Sequence, residues 1–89
     1  MKFEWDPEKA ATNLAKHGVS FEEAKVAFED ANRLEFYRPR HGEDRFVMIG
    51  QSWQNLLVIV YVERGSVTRI ISARKAEKDE KKAYRRRRR

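Results

Sequence analysis

The chain contains no cysteine, which excludes disulfides and thiolate metal sites and leaves burial alone to hold the fold. Its four glycines, Gly18, Gly42, Gly50 and Gly65, are isolated, so no glycine-rich loop is available to cradle a phosphate. The longest apolar run, Leu56 to Val62, is far too short to cross a bilayer, and Met1 to Asp6 lacks the apolar stretch of a signal peptide. The cytoplasm is therefore the expected location, with no membrane association. The only histidines, His17 and His41, lie 24 positions apart with no carboxylate one helical turn away on a clear helix, and neither a metal nor another cofactor is expected. Serine-nucleophile signatures are missing too: Ser72 sits in a strand pattern with no sharp turn around it.

What is present is positive charge, unevenly placed. The 89 residues, read as one domain over 1–89, carry a net charge of +6. Residues 1–73 hold 10 Lys/Arg against 11 Asp/Glu, whereas residues 74–89 hold 10 against 3. A basic end of this kind attracts polyanions, because each phosphate neutralised releases counterions. The run Arg85 to Arg89 reads equally as a solvated, disordered tail or as a lure for an acidic protein.

The central stretch is Asn55 to Arg74, two strands around a tight turn. Leu56 to Val62 is apolar throughout and β-branched at four of seven positions, the pattern of a buried central strand. Glu63 to Ser66 forms the turn, and Val67 to Arg74 returns as a half-polar strand. Upstream, Phe3 to Trp5 reads as a short strand or an extended lead-in. Asp6-Pro7 starts a helix to about Lys16, with Ala10, Ala11 and Leu14 as its apolar stripe and Lys9, Asn13 and Lys16 on a polar face. Gly18 stops it. Ser20 and Glu23 make a capping box for a second helix to about Asp30, buried through Phe21, Ala24 and Phe28. Strands are expected at Arg33 to Tyr37 and Asp44 to Gln51, and a weakly amphipathic basic helix from Lys75 to about Arg86, docked by Ala76 and Tyr84. The fold class is α+β: an antiparallel sheet of three to four strands, two N-terminal helices and a C-terminal helix, with the helices on one face.

Candidate site residues are mostly cations. Strict alternation along the last strand places Arg69, Ile71 and Ala73 on one face and Thr68, Ile70, Ser72 and Arg74 on the other. Each arginine alone reads as an exposed side chain; Arg45, Arg64, Arg69 and Arg74 together suit bidentate phosphate contacts. His17, at the corner between the first two helices, is either a proton carrier or a cap on helical carbonyls, and Lys16 has the same two readings. Glu63 is either a base or a partner for Arg64 or Arg69, and pairing is the reading preferred.

Trp5-Asp6, Lys9, Asn13, Lys16-His17-Gly18-Val19-Ser20-Phe21, Ala24, Arg45, Gly50, Glu63-Arg64 and Arg69-Ile70-Ile71-Ser72-Ala73-Arg74, with Glu80 and Tyr84, resemble the BrnT family, the small ribonuclease toxins of type II toxin–antitoxin systems. The resemblance spans nearly the whole chain and departs chiefly in the uniform Arg85 to Arg89 end. It implies a fold like the RelE toxins, RNA cleavage that blocks translation, and a BrnA-type ribbon-helix-helix antitoxin through whose complex alone operator DNA is bound. In that setting Arg64 and Arg74 are assigned to the phosphate and the transition state, and Lys16 and His17 to a corner facing the same site. Glu63 is the weakest catalytic candidate, and Arg45, Arg69 and Ser72 serve as RNA-binding residues. Trp53 and Tyr37 would suit an antitoxin surface. The rival reading is a non-catalytic nucleic-acid-binding or protein-interaction module, since holding phosphate needs cations but no proton transfer.

Overall fold

A computed structural model describes residues 1–87. In chain order the elements are β1 (Lys2–Glu4), α1 (Pro7–His17), α2 (Phe21–Ala27), β2 (Leu34–Tyr37), β3 (Phe46–Gln51), β4 (Leu56–Arg64), β5 (Val67–Lys75) and α3 (Lys78–Arg87). The sheet has five strands in the order β1-β5-β4-β3-β2. The apolar Leu56 to Val62 run thus lies in the central strand, with the meander β2 to β5 antiparallel around it. The expected sheet of three to four antiparallel strands is corrected to a mixed sheet of five, because the Phe3 lead-in pairs parallel to the start of β5, Phe3 opposite Thr68.

Local signals act as their chemistry requires. The Asp6 carboxylate accepts from the Glu8 N–H at 2.9 Å with Pro7 behind it, and Gly18, at φ +69°, returns its N–H to the Leu14 carbonyl. Ser20 accepts from the Glu23 N–H, but Glu23 does not close the capping box. Its buried carboxylate accepts instead from Ser52 Oγ at 2.5 Å and Asn55 Nδ2 at 3.1 Å, tying α2 to the β3–β4 turn.

The helices are not on one face, as the sequence pattern suggests. Phe21, Ala24, Ala27 and Phe28 pack with Met48, Leu57, Ile59, Tyr61, Ile70 and Ala73 on one side. Tyr84 and Ala76 pack with Ile49 and Val58 on the other. The continuous apolar run of β4 has this cause: both faces of the strand are covered. Arg85 to Arg87 continue α3, while Arg88 and Arg89 of the expected tail lie outside the described residues. Among the described residues no helix is long and apolar enough to cross a membrane.

Gly50 marks where α2 meets the sheet. A Cβ there would lie 2.8 Å from the Ala27 carbonyl oxygen and 3.3 Å from its Cβ, so the helix end and the strand can touch only through a residue without a side chain. Gly50→Ala is expected to lower stability by about 1–3 kcal/mol, the usual cost of overpacking, read as a lower urea midpoint at unchanged slope.

Candidate RNA-binding face

Two departures from simple periodicity build the candidate site. The first is a β-bulge. Val60 pairs with Ser72 but Tyr61 pairs with Ile70, so Ile71 is an extra residue in β5. Side chains facing the α2 side are therefore Thr68, Ile70 and Ala73, all buried. Arg69, Ser72 and Arg74 share the other side, where strict alternation had separated the two arginines. Their register partners Val62, Val60 and Val58 lie on that same side of β4, and so does Arg64, paired with Val67.

The second departure is the orientation of α1. Leu14, expected in the buried stripe, is half exposed, and Asn13, expected on the polar face, is buried. β1 accompanies β5 only as far as Arg69, leaving the outward backbone groups at Ala73 without a strand neighbour. Asn13 takes that place. Its Nδ2 donates to the Ala73 carbonyl at 2.7 Å and to the Val19 carbonyl at 3.0 Å, and its Oδ1 accepts from the Ala73 N–H at 3.1 Å. One amide thus fastens the α1–α2 corner to the strand that carries the arginines.

Between α1 and β5 lies an open cavity of about 460 Å³ walled by Asp6, Glu8, Lys9, Thr12, Lys16, His17, Ile71 and Ser72. Lys16, His17 and Ser72 are therefore brought together. Among the described residues no arginine lines that cavity. Arg69 and Arg74 flank Ser72 on its own side of the strand, Arg74 two residues or about 7 Å along it.

Each of the four candidate arginines has a carboxylate partner. Arg74 makes a two-toothed contact to Glu80 of α3 at 2.8 and 2.7 Å. Arg69 donates to Glu4 at 3.0 Å, and Arg45 donates to Glu43 at 2.9 Å, a carboxylate it shares with Arg64 at 3.8 Å. Glu63 stands apart. It is accepted into neither expected ion pair; it takes a hydrogen bond from Thr68 Oγ1 at 2.7 Å and lines a separate cavity with Glu35, Tyr37 and Tyr61. Strand alternation sends it to the opposite side from its neighbour Arg64, so its grouping with the arginines is corrected. His41 is exposed in the loop, at φ +54°.

Sequence reasoning placed Glu80 in the resemblance but gave it no role, and it overlooked Glu4 and Glu43 as partners. Lys9, on the polar helical face and among the residues of the resemblance, has no role assigned from sequence, and it joins the cavity wall. A carboxylate six positions after Arg74, across the short 76–77 link, was the available signal for Glu80.

The Arg74 guanidinium holds the Glu80 carboxyl below the usual carboxylate range, helped by the Glu77 N–H. A carboxyl with a depressed folded-state pKa contributes stability above its unfolded pKa and loses it as pH falls through the folded one. Acidification through the carboxylate range is therefore expected to lower the protection factors of α3 amides before those of β4. Equal protection of the two at every pH would contradict it.

Among the described residues no group of three or more His, Asp or Glu side chains could hold a metal ion. No curated protein matches the chain. A family model described as "Ribonuclease toxin, BrnT, of type II toxin-antitoxin system" matches residues 5–80, a span holding α1, α2, all of β2 to β5 and the Arg74–Glu80 pair. The chain belongs to the BrnT family of type II toxin–antitoxin ribonuclease toxins, and that membership implies an antitoxin partner.

Proposed function

We propose that this protein is an endoribonuclease that cuts RNA without a metal ion and so blocks translation, with a fold of the RelE kind, acting in the cytoplasm. The observation that carries this reading is the bulge at Ile71, which gathers Arg69, Ser72 and Arg74 beside Arg64 on one side of the sheet. Guanidinium groups are the cations suited to phosphoryl oxygens, since they present paired donors and stay charged at any working pH. In the resting chain those donors are occupied by Glu4, Glu43 and Glu80. Incoming phosphates would exchange with these carboxylates, which meanwhile hold the arginines in place.

Cleavage proceeds by attack of the 2′-oxygen on the adjacent phosphorus, forming a P–O bond as the bond to the 5′-oxygen breaks. The products are a 2′,3′-cyclic phosphate and a 5′-hydroxyl. The 2′-hydroxyl gives up a proton and the leaving oxygen takes one, work assigned to His17 and Lys16 at the cavity wall beside Ser72. Arg74 stabilises the charge that develops on the phosphoryl oxygens, with Arg69, Ser72, Arg45 and Arg64 holding the flanking RNA, since Arg64 lies at the other end of the hairpin, about 20 Å along the strand from Arg74. Neutralisation falls to a BrnA-type ribbon-helix-helix antitoxin, and operator DNA is bound only through that complex.

Purified chain free of antitoxin, incubated with RNA and a chelator, should yield fragments with cyclic phosphate ends. A shifted but uncut RNA would leave a binding module in place of a nuclease.

A further inference from the structure

The outer surface of α3 is strongly cationic. The helix carries six cations, Lys78, Lys81, Lys82, Arg85, Arg86 and Arg87, against Asp79 and Glu80. Glu80 is already committed to Arg74. Tyr84 is buried against the sheet, which turns Lys78, Lys82, Arg85 and Arg86 outward, and all four are exposed. Lys78, Lys82 and Arg86 follow one another at spacings of four, the separation at which like charges repel along a helix. Among the described residues no carboxylate forms an ion pair with any of them.

Position gives this surface its meaning. α3 packs on the same side of the sheet as the arginines, through Ile49 and Val58, and Val58 is the register partner of Arg74. The helix starts three residues after β5 ends and holds Arg74 through Glu80, so its outward cations continue the arginine track beyond the acidic junction of Glu77, Asp79 and Glu80. The family match stops at residue 80, so most of the basic surface lies beyond what the family model describes.

We propose that the outward face of α3 is an RNA-backbone contact that grips the strand beyond the cleaved linkage. The inference rests on the ribonuclease reading for what it extends, but not for its test. A single strand laid over Arg69 and Arg74 runs onto Lys78, Lys82, Arg85 and Arg86, and its phosphates relieve the repulsion among them. Such contacts carry no base information and act on affinity, not on the chemical step.

The test compares wild type with K78Q/K82Q/R85Q/R86Q, measuring by anisotropy the binding of a labelled single-stranded RNA of about 20 nucleotides, 2′-O-methylated throughout so that it is not cut, over a salt series. Counterion release from single strands contributes about 0.7 to the slope of log affinity against log salt per phosphate contact, so the quadruple variant should lose about 2 to 3 from that slope and bind tenfold or more weakly. R85K/R86K, which keeps the charge, should retain the wild-type slope. Cleavage of a dinucleotide too short to reach α3 should be unchanged. An unaltered slope overturns the proposal, including the case in which the variant loses affinity only for an acidic protein partner. Absence of dinucleotide cleavage in both proteins would sink the nuclease reading and leave the slope comparison intact.

Discussion

Arg74→Ala is expected to reduce RNA cleavage by about 10²–10³-fold, the usual cost of removing one preorganised donor from a developing negative charge. Arg74 is the best-oriented cation on the face, since both its terminal nitrogens are engaged by Glu80 at 2.7–2.8 Å and the backbone holding it is paired to Val58 in the central region of the sheet. The alternative is that this ion pair merely anchors α3. Arg74→Lys separates the two. A lysine keeps a charge near Glu80 but lacks the planar fork, so a docking role should be largely restored while cleavage is not. Glu80→Gln should leave the guanidinium present but less constrained, giving a smaller loss than Arg74→Ala. Near-wild-type cleavage in Arg74→Ala, with amide protection lost across α3, would assign the pair to docking alone.

The largest effect on stability is expected from Asn13→Ala. The substitution strands the Val19 carbonyl and both backbone groups of Ala73, each losing its hydrogen-bond partner in a buried setting. An unsatisfied buried polar group costs about 1–3 kcal/mol. Water can enter from the adjoining cavity, so a total of about 3 kcal/mol is the reasonable sum. For a domain of this size that corresponds to a fall of roughly 12–24 °C in the melting temperature. Asn13→Asp should be little better: it keeps the acceptor for the Ala73 N–H but sets a negative oxygen against two carbonyls. A shift below about 4 °C for Asn13→Ala would mean that the α1–β5 junction is held by something else.

The local elements were legible because their signals are short-range. Asp6-Pro7, Gly18 and Ser20 set helix ends through chemistry that needs no tertiary information, and the apolar run at Leu56 to Val62 marks the central strand by itself. What pattern reading missed depended on distant partners. Asn13 looks like a surface residue until the edge of β5 arrives to be satisfied, and Leu14 looks buried because helical periodicity assumes that the apolar stripe faces the core. The extra residue at Ile71 has no local signature, yet it decides which side Arg69 and Arg74 share. The cations themselves were legible at Arg45, Arg64, Arg69 and Arg74, and the Lys16–His17 corner does meet Ser72. The carboxylates that hold the arginines were not: Glu4 meets Arg69 from the far end of the chain, and Glu43, though only two residues from Arg45, reaches Arg64 from a loop remote from β4. Glu63 was misplaced for a simpler reason: its neighbour Arg64 is adjacent in sequence and therefore opposite in space.

The arginine side of β4 and β5 is the proposed seat of the chemistry, and the place where RNA lies on the chain can be read directly. A short RNA carrying a 2′-deoxy residue at the cleaved linkage binds without being cut, so its titration into labelled protein can be followed by backbone amide shifts. The largest changes are expected at Arg64, Arg69, Ser72 and Arg74, extending to Lys16, His17 and the outer face of α3. Changes confined to α2 and the apolar groove around Trp5 and Trp53, with the β5 arginines unmoved, would contradict it.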